Sequence, residues 1–98
     1  MAVSRLTEQD LEGAAALFKA LADPLRLKTL VSLADAPLNV GQISELDAEK
    51  LGTVSARLKV LWAAKLVTRH REGQNIVYSL ADKQALDLIH KAVEHTDE

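Results

Sequence analysis

The apolar pattern of this chain changes period twice, and that narrows its fold more than any single motif. From about Leu11 to Ala64 apolar residues recur at three- and four-residue spacing. From Leu66 to Leu80 the spacing falls to two on either side of a turn, and beyond Asp82 it is helical again. A period near 3.6 puts side chains on one helix face, and a period of two puts them on one strand face. A lone two-stranded hairpin is marginal in water, so the flanking helices must pack against it. With 98 residues and no linker or repeat, residues 1–98 are expected to form one domain.

Thr7, followed by Glu8 and Asp10, has the form of a helix start with acids in the first turn. Its inward stripe is Leu11, Ala14, Ala15, Phe18 and Leu21, and it ends near Ala22. Asp23-Pro24 restarts the chain as cap and first helical residue. Leu25, Leu27, Leu30, Val31 and Leu33 follow on a second helix, and residues 35–39 form a turn. A third helix spans about Val40 to Leu46, with Val40, Ile43 and Leu46 inward. Asp47 can cap a fourth, reaching about Ala64, with Leu51, Val54, Leu58, Leu61 and Trp62 inward. Residues 66–71 and 76–80 are the strands, joined by Glu72-Gly73-Gln74-Asn75, where Gly73 or Asn75 can take positive φ. Asp82 caps the last helix, whose stripe is Ala85, Leu86, Ile89, Ala92 and Val93. The order α-α-α-α-β-β-α is mainly α with a β-hairpin, the winged helix-turn-helix arrangement.

The formal net charge is −2, yet its distribution is uneven. Residues 50–71 carry Lys50, Arg57, Lys59, Lys65, Arg69 and Arg71 and no acid. Residues 1–49 carry eight acids against four bases, and residues 82–98 five against two. A phosphate backbone responds to local charge, because screening sets in within ~10 Å at moderate salt. The basic stretch coincides with the fourth helix and the hairpin.

Cysteine is absent, which excludes disulfides and thiolate metal sites. The N-terminus shows no apolar secretion segment, and no apolar run approaches the ~20 residues of a membrane helix. A soluble cytoplasmic protein is the expectation.

Four stretches resemble the ArsR/SmtB family of bacterial metal- and stress-responsive repressors. They are Phe18-Lys-Ala-Leu-Ala-Asp-Pro-Leu-Arg-Leu-Lys28, Val40-Gly-Gln-Ile-Ser44, Thr53-Val-Ser-Ala-Arg-Leu-Lys-Val-Leu61 and Leu66 through Leu80. They span most of the chain in the family's order. The resemblance implies a homodimer through the first and last helices, and binding to double-stranded operator DNA that a ligand abolishes. The family commonly has Ser-Gln-Ser before Thr-Val-Ser; here Lys50-Leu51-Gly52 stands instead.

On this reading Thr53, Ser55 and Arg57 are the polar residues on the outer half of the fourth helix. Hydroxyls can serve phosphates or base edges, and arginine can pair with guanine through two bonds. Ser55 can equally serve the helix itself. Gly52 and Ala56 are small and allow close approach to a groove. Gln42 and Ser44, one helix earlier, can hold a phosphate. Arg69 and Arg71 share one face of the wing strand, with Gln74 and Asn75 at its tip.

Members of the family that sense zinc or nickel carry Asp-x-His, ten residues, then His-x-x-Glu or His on the last helix. Here the sequence is Asp82-Lys83-Gln84, ten residues, then His95-Thr96-Asp97-Glu98. Asp82 and His95 lie ~20 Å apart along one helix and cannot share an ion within a chain. Antiparallel pairing of two last helices would bring Asp82 of one copy beside His95 and Glu98 of the other. Zinc is the first choice there, then nickel or cobalt. Asp82 is explained equally well as a cap, and His95 and Glu98 as an ordinary polar terminus. His90 and Glu94 form a looser alternative pair.

Two rival classes stand beside this one. Ser55 and His70 have no carboxylate placed to orient the imidazole, and no phosphate-cradling glycine loop exists, so an enzyme is not expected. A winged helix kept only as a protein-interaction module, or one answering a non-metal signal, is the alternative.

Overall fold

Short polar side chains decide where each helix begins. Residues 5–97 are described by the computed structural model. Thr7 opens α1 (Glu8–Leu21): its hydroxyl accepts from the Asp10 amide at 3.0 Å, and Asp10 accepts from the Thr7 amide. The two amides would otherwise be orphans of the first turn. Asp23 opens α2 (Pro24–Asp35) by accepting from the Arg26 amide at 3.0 Å. The Arg26 side chain turns back and donates to the carbonyls of Ala20 and Lys19, tying the end of α1 to α2.

Leu38–Asn39 is extended and forms β1, which pairs antiparallel with β3 (Asn75–Leu80). The sequence pattern signals only a turn there. Asn39 then opens α3 (Val40–Asp47) through a second reciprocal cap with Gln42, both bonds at 2.8 Å. The next helix, α4 (Leu51–Ala63), starts at Leu51 with Lys50 as cap. The cap expected at Asp47 is therefore corrected. Asp47 ends α3, and Ala48 turns the chain with a left-handed φ of 52°.

α4 ends in a Schellman motif: Lys65 donates to the Trp62 carbonyl and Leu66 to the Leu61 carbonyl. Lys65 takes φ 62° there. β2 (Val67–Glu72) pairs with β3 from Val67↔Leu80 to Glu72↔Asn75, leaving the two-residue turn Gly73-Gln74. Gly73 has φ +63°, and neither Gln74 nor Asn75 has positive φ, which matches a type II′ hairpin. The sheet order is β1-β3-β2. α5 (Gln84–Thr96) follows, its first amide bonded to the Asp82 carboxylate at 2.8 Å. Asp82 therefore serves the helix start from one position before the cap residue, Lys83.

α2 is the hub, packing on α1, α5 and β3. Leu30, Ile43, Val54, Leu58 and Leu61 are fully buried, flanked by Leu33, Val67 and Tyr78. Several residues expected inside are not. On α3, Leu46 is exposed and Ile43 is the buried residue; on α4, Leu51 and Trp62 are exposed, and the buried apolar stripe narrows to Val54, Leu58 and Leu61. Leu25 and Val31 of α2 are also exposed. Leu11 and Phe18 of α1 and Val93 of α5 are more than half exposed. Phe18 and Val93 belong to an apolar face shared by α1, α2 and α5, a groove of about 380 Å3 lined also by Leu21, Leu27, Ile89 and Ala92.

Candidate nucleic-acid interface

The turn between α3 and α4 is held by a buried arginine. Arg57 lies three residues after Val54 and four before Leu61, on the inward half of α4. Its side chain is 5 % exposed. One terminal nitrogen donates to both Glu49 oxygens, at 2.7 and 2.6 Å. The other donates to the Thr29 hydroxyl at 3.2 Å and approaches Asp47 at 3.4 Å. The Thr29 hydroxyl in turn donates to the Leu25 carbonyl, and Lys28 reaches Asp47 from the solvent side at 3.4 Å. One guanidinium thus joins α2, α4 and the residues on both sides of Ala48. A fork of donors meeting two carboxylates is geometry that only arginine supplies.

The expected outward placement of Arg57, against DNA, is corrected. Its donors are taken by Glu49, Asp47 and Thr29, and a buried arginine without those partners would be costly. Ser44 is corrected in the same way. It is half-buried, and its hydroxyl donates to the Glu49 carbonyl within the turn. Both residues shape the helix-turn-helix from inside.

The remaining expected residues lie on the surface. Gly52, Thr53 and Ala56 are exposed along α4, together with Lys59. Ser55 is half-buried on the flank. Gln42 is exposed, with its carbonyl oxygen held by the Asn39 amide and its amide NH2 left outward. On the wing, Arg69 and Arg71 alternate along β2 opposite Tyr78 and Ile76, so they share a face. Gln74 and Asn75 occupy the exposed tip.

Sequence reasoning missed two further contacts. The Arg69 guanidinium stacks on the Trp62 ring, 3.9 Å from its centroid, which fixes the root of the wing to the end of α4. His70, on the opposite face of β2, meets Glu72 at 2.8 Å in an exposed pair. The i, i+2 spacing along a strand is the signal that could have shown this carboxylate beside His70.

Among the described residues, Lys50, Lys59, Lys65, Arg69 and Arg71 take part in no salt bridge. Five of the six cations of the basic stretch therefore lie on the surface without a carboxylate partner. The sixth is Arg57.

The expected metal residues are spread along α5. Asp82 precedes it, Gln84 begins it, and His95 is exposed in its last turn. Glu98 lies outside the described residues. Among the described residues of one chain, no three His, Asp or Glu side chains come together as a metal site. No helix among them is long and apolar enough to cross a membrane.

No protein-family model matches the chain. Individual proteins do. It is 36 % identical over 92 residues to the HTH-type transcriptional regulator NmtR of Mycobacterium tuberculosis, covering 94 % of this chain and 77 % of that one. It is 36 % identical over 84 residues to a transcriptional repressor SmtB homolog of Synechocystis, covering 86 % of this chain and spanning 64 % of the relative's length. Its fold superposes with a TM-score of 0.82 and 31 % identity on a homodimeric winged helix-turn-helix DNA-binding domain of a possible ArsR-family regulator of Mycobacterium bovis, covering 100 % of this chain and 92 % of the other. The relatives are regulators of transcription and not enzymes. On its fold, its relatives and the motifs that form its turn and wing, the chain belongs to the ArsR/SmtB family of winged helix-turn-helix regulators.

Proposed function

We propose that this protein is a transcriptional repressor that binds operator DNA as a homodimer, with residues 1–98 acting as one DNA-binding domain in the cytoplasm. The observation that carries the reading is the set of unpaired surface cations on α4 and the wing of a chain that is otherwise acidic. α4 enters the major groove with Thr53, Ser55 and Ala56 toward the bases. Arg69, Arg71, Gln74 and Asn75 hold the backbone beside it, and Gln42 donates to a phosphate from α3. Pairing is supported by the apolar face of α1 and α5, which one chain leaves open.

The test is binding to the protein's own promoter fragment as salt is varied. Affinity should fall linearly with log salt. Arg71→Ala should lower the slope by about 0.9 for each phosphate that Arg71 neutralises, twice that in a two-fold dimer. Absence of binding at low salt would favour the interaction module.

For the effector, the proposal extends to a divalent ion, zinc before nickel, held between copies by Asp82 of one and His95 and Glu98 of the other. Its support is the donor pattern alone. One imidazole and two carboxylates suit an open site, and Gln84 withdraws the second imidazole that a closed zinc site would use. A bound ion would supply a charge at the dimer seam, able to bias the angle between the reading heads. Titration of the purified protein with zinc, nickel and cobalt checks it: His95→Ala should abolish metal-dependent release from DNA, and release that persists refutes the site.

A further inference from the structure

We propose that Glu49 and Arg57 are positioning residues for the reading helix: their buried ion cluster fixes how α4 sits against α3, and with it the sequence that α4 selects. The inference rests on the reading that α4 enters the major groove, and it names what sets the pose of α4 there.

The start of α4 is anchored at Glu49. Its amide donates to the Ser44 carbonyl at 3.1 Å, its carbonyl accepts from the Ser44 hydroxyl, and its carboxylate takes the Arg57 guanidinium. Three of its groups are thus tied to α3 and α4, one residue before Lys50, whose side chain makes no capping bond. The cluster is balanced in charge: the carboxylates of Asp47 and Glu49 face Arg57 inside and Lys28 from solvent. Among the described residues, no buried side-chain nitrogen or oxygen lacks a hydrogen-bond partner. Apolar residues of similar volume would hold such a fold as well or better. They would pack in several ways, whereas a fork of donors between two acids has one arrangement. What the cluster adds is a single geometry for α4.

The outward side of α4 makes that geometry matter. Gly52, Thr53 and Ala56 are exposed, and Ser55 is half-buried on the flank. All four side chains are short, so they meet a base edge only where the helix backbone already lies at the right depth and angle. Groups of this kind must be held to within about 0.5 Å by the residues behind them. Lys50 and Lys59 are exposed, long and flexible, and can follow a displaced helix. A shift of α4 therefore spares the lysine contacts and spoils those of the short residues. Affinity for any duplex survives, and choice among duplexes does not.

The experiment selects bound duplexes from a randomised library with the full chain, then compares affinity for the selected duplex and a scrambled one at fixed salt. Asp47→Asn, Glu49→Leu and Arg57→Met are combined in one variant, which removes the buried charge. Such replacements are often neutral or stabilising, so the variant is expected to fold, which urea unfolding checks. Its affinity for the scrambled duplex and its salt slope should match the wild type, because the surface cations are untouched. The ratio of selected to scrambled affinity should fall at least about tenfold, the discrimination that one base pair supplies. Arg57→Lys keeps the charge and loses the fork, so it should lower the same ratio, and it carries the test if the combined variant does not fold. An unchanged ratio in a folded variant overturns the proposal and leaves the cluster a purely structural strut. Recovery of no duplex by the wild type at low salt overturns the underlying reading instead.

Discussion

Arg57 and Glu49 meet across the turn that joins α3 to α4, with both carboxylate oxygens within 2.7 Å of one guanidinium nitrogen. A residue that sequence places in the basic reading surface is thus a strut behind it. Removing one partner of a buried pair leaves the other charge without compensation. Arg57→Ala should therefore cost about 3 kcal/mol of stability, measured by chemical unfolding at fixed protein concentration. Any DNA affinity retained by the folded variant should show the wild-type salt slope, because every phosphate keeps its cation. A lowered slope with unchanged stability would return Arg57 to the DNA surface.

Gly52→Ala separates folding from recognition. The added methyl meets open space, and alanine is the better helix former by about 0.5–1 kcal/mol. The variant should be more stable by that amount and bind DNA more weakly, because the methyl lies where the helix approaches the groove. Unfolding and gel-shift titrations on the same preparation should move in opposite directions.

Ala48 holds a left-handed φ of 52° without being glycine, and that conformation costs a residue with a Cβ roughly 1–2 kcal/mol. Ala48→Gly should raise stability by about 1 kcal/mol, less the extra freedom glycine gives the unfolded chain. Thermal unfolding reads the gain. An unchanged melting temperature would mean that the Arg57 clamp alone determines the turn.

Much of this fold is legible in the sequence because its signals are local. Thr7 and Asp23 mark their helices within three residues, and Gly73 marks its hairpin. The misplaced residues are those whose position depends on partners remote in the chain. Arg57 is buried because Thr29, 28 residues away, and the two acids around Ala48 converge on it. Its spacing from Val54 and Leu61 is the available signal, outweighed by its charge. Phe18, Leu11 and Val93 follow a sound helical stripe, yet one chain has nothing to place over them. Trp62 follows the same spacing but overhangs the core, where its ring receives Arg69.

The stacking of Arg69 on Trp62 gives the wing an internal reporter, since this is the chain's one tryptophan. Emission of Trp62 should change when phosphates approach the Arg69 guanidinium stacked on it, and Arg69→Ala should remove that change. Trp62→Leu should lower DNA affinity severalfold by freeing the wing root, a loss in the range of about 0.5–1 kcal/mol for an exposed pair. In a double-mutant cycle read by gel shift, the two substitutions should be less than additive. Full additivity would mean that the wing is held by its strand pairing alone.

The apolar groove between α1 and α5 bears on assembly. Phe18 is 58 % and Val93 51 % exposed in one chain, and both line that groove. Apolar surface concentrated on one face of a small domain favours association, at roughly 25 cal/mol for each Å2 covered. Light scattering should give twice the chain mass at micromolar concentration. Phe18→Glu places a charge in that seam without touching the buried core, so it should yield a folded monomer. The monomer offers one reading helix in place of two and should lose most of its affinity for a two-fold operator. A Phe18→Glu variant that remains dimeric would move the interface elsewhere, and with it the seam that places Asp82 of one copy beside His95 of the other.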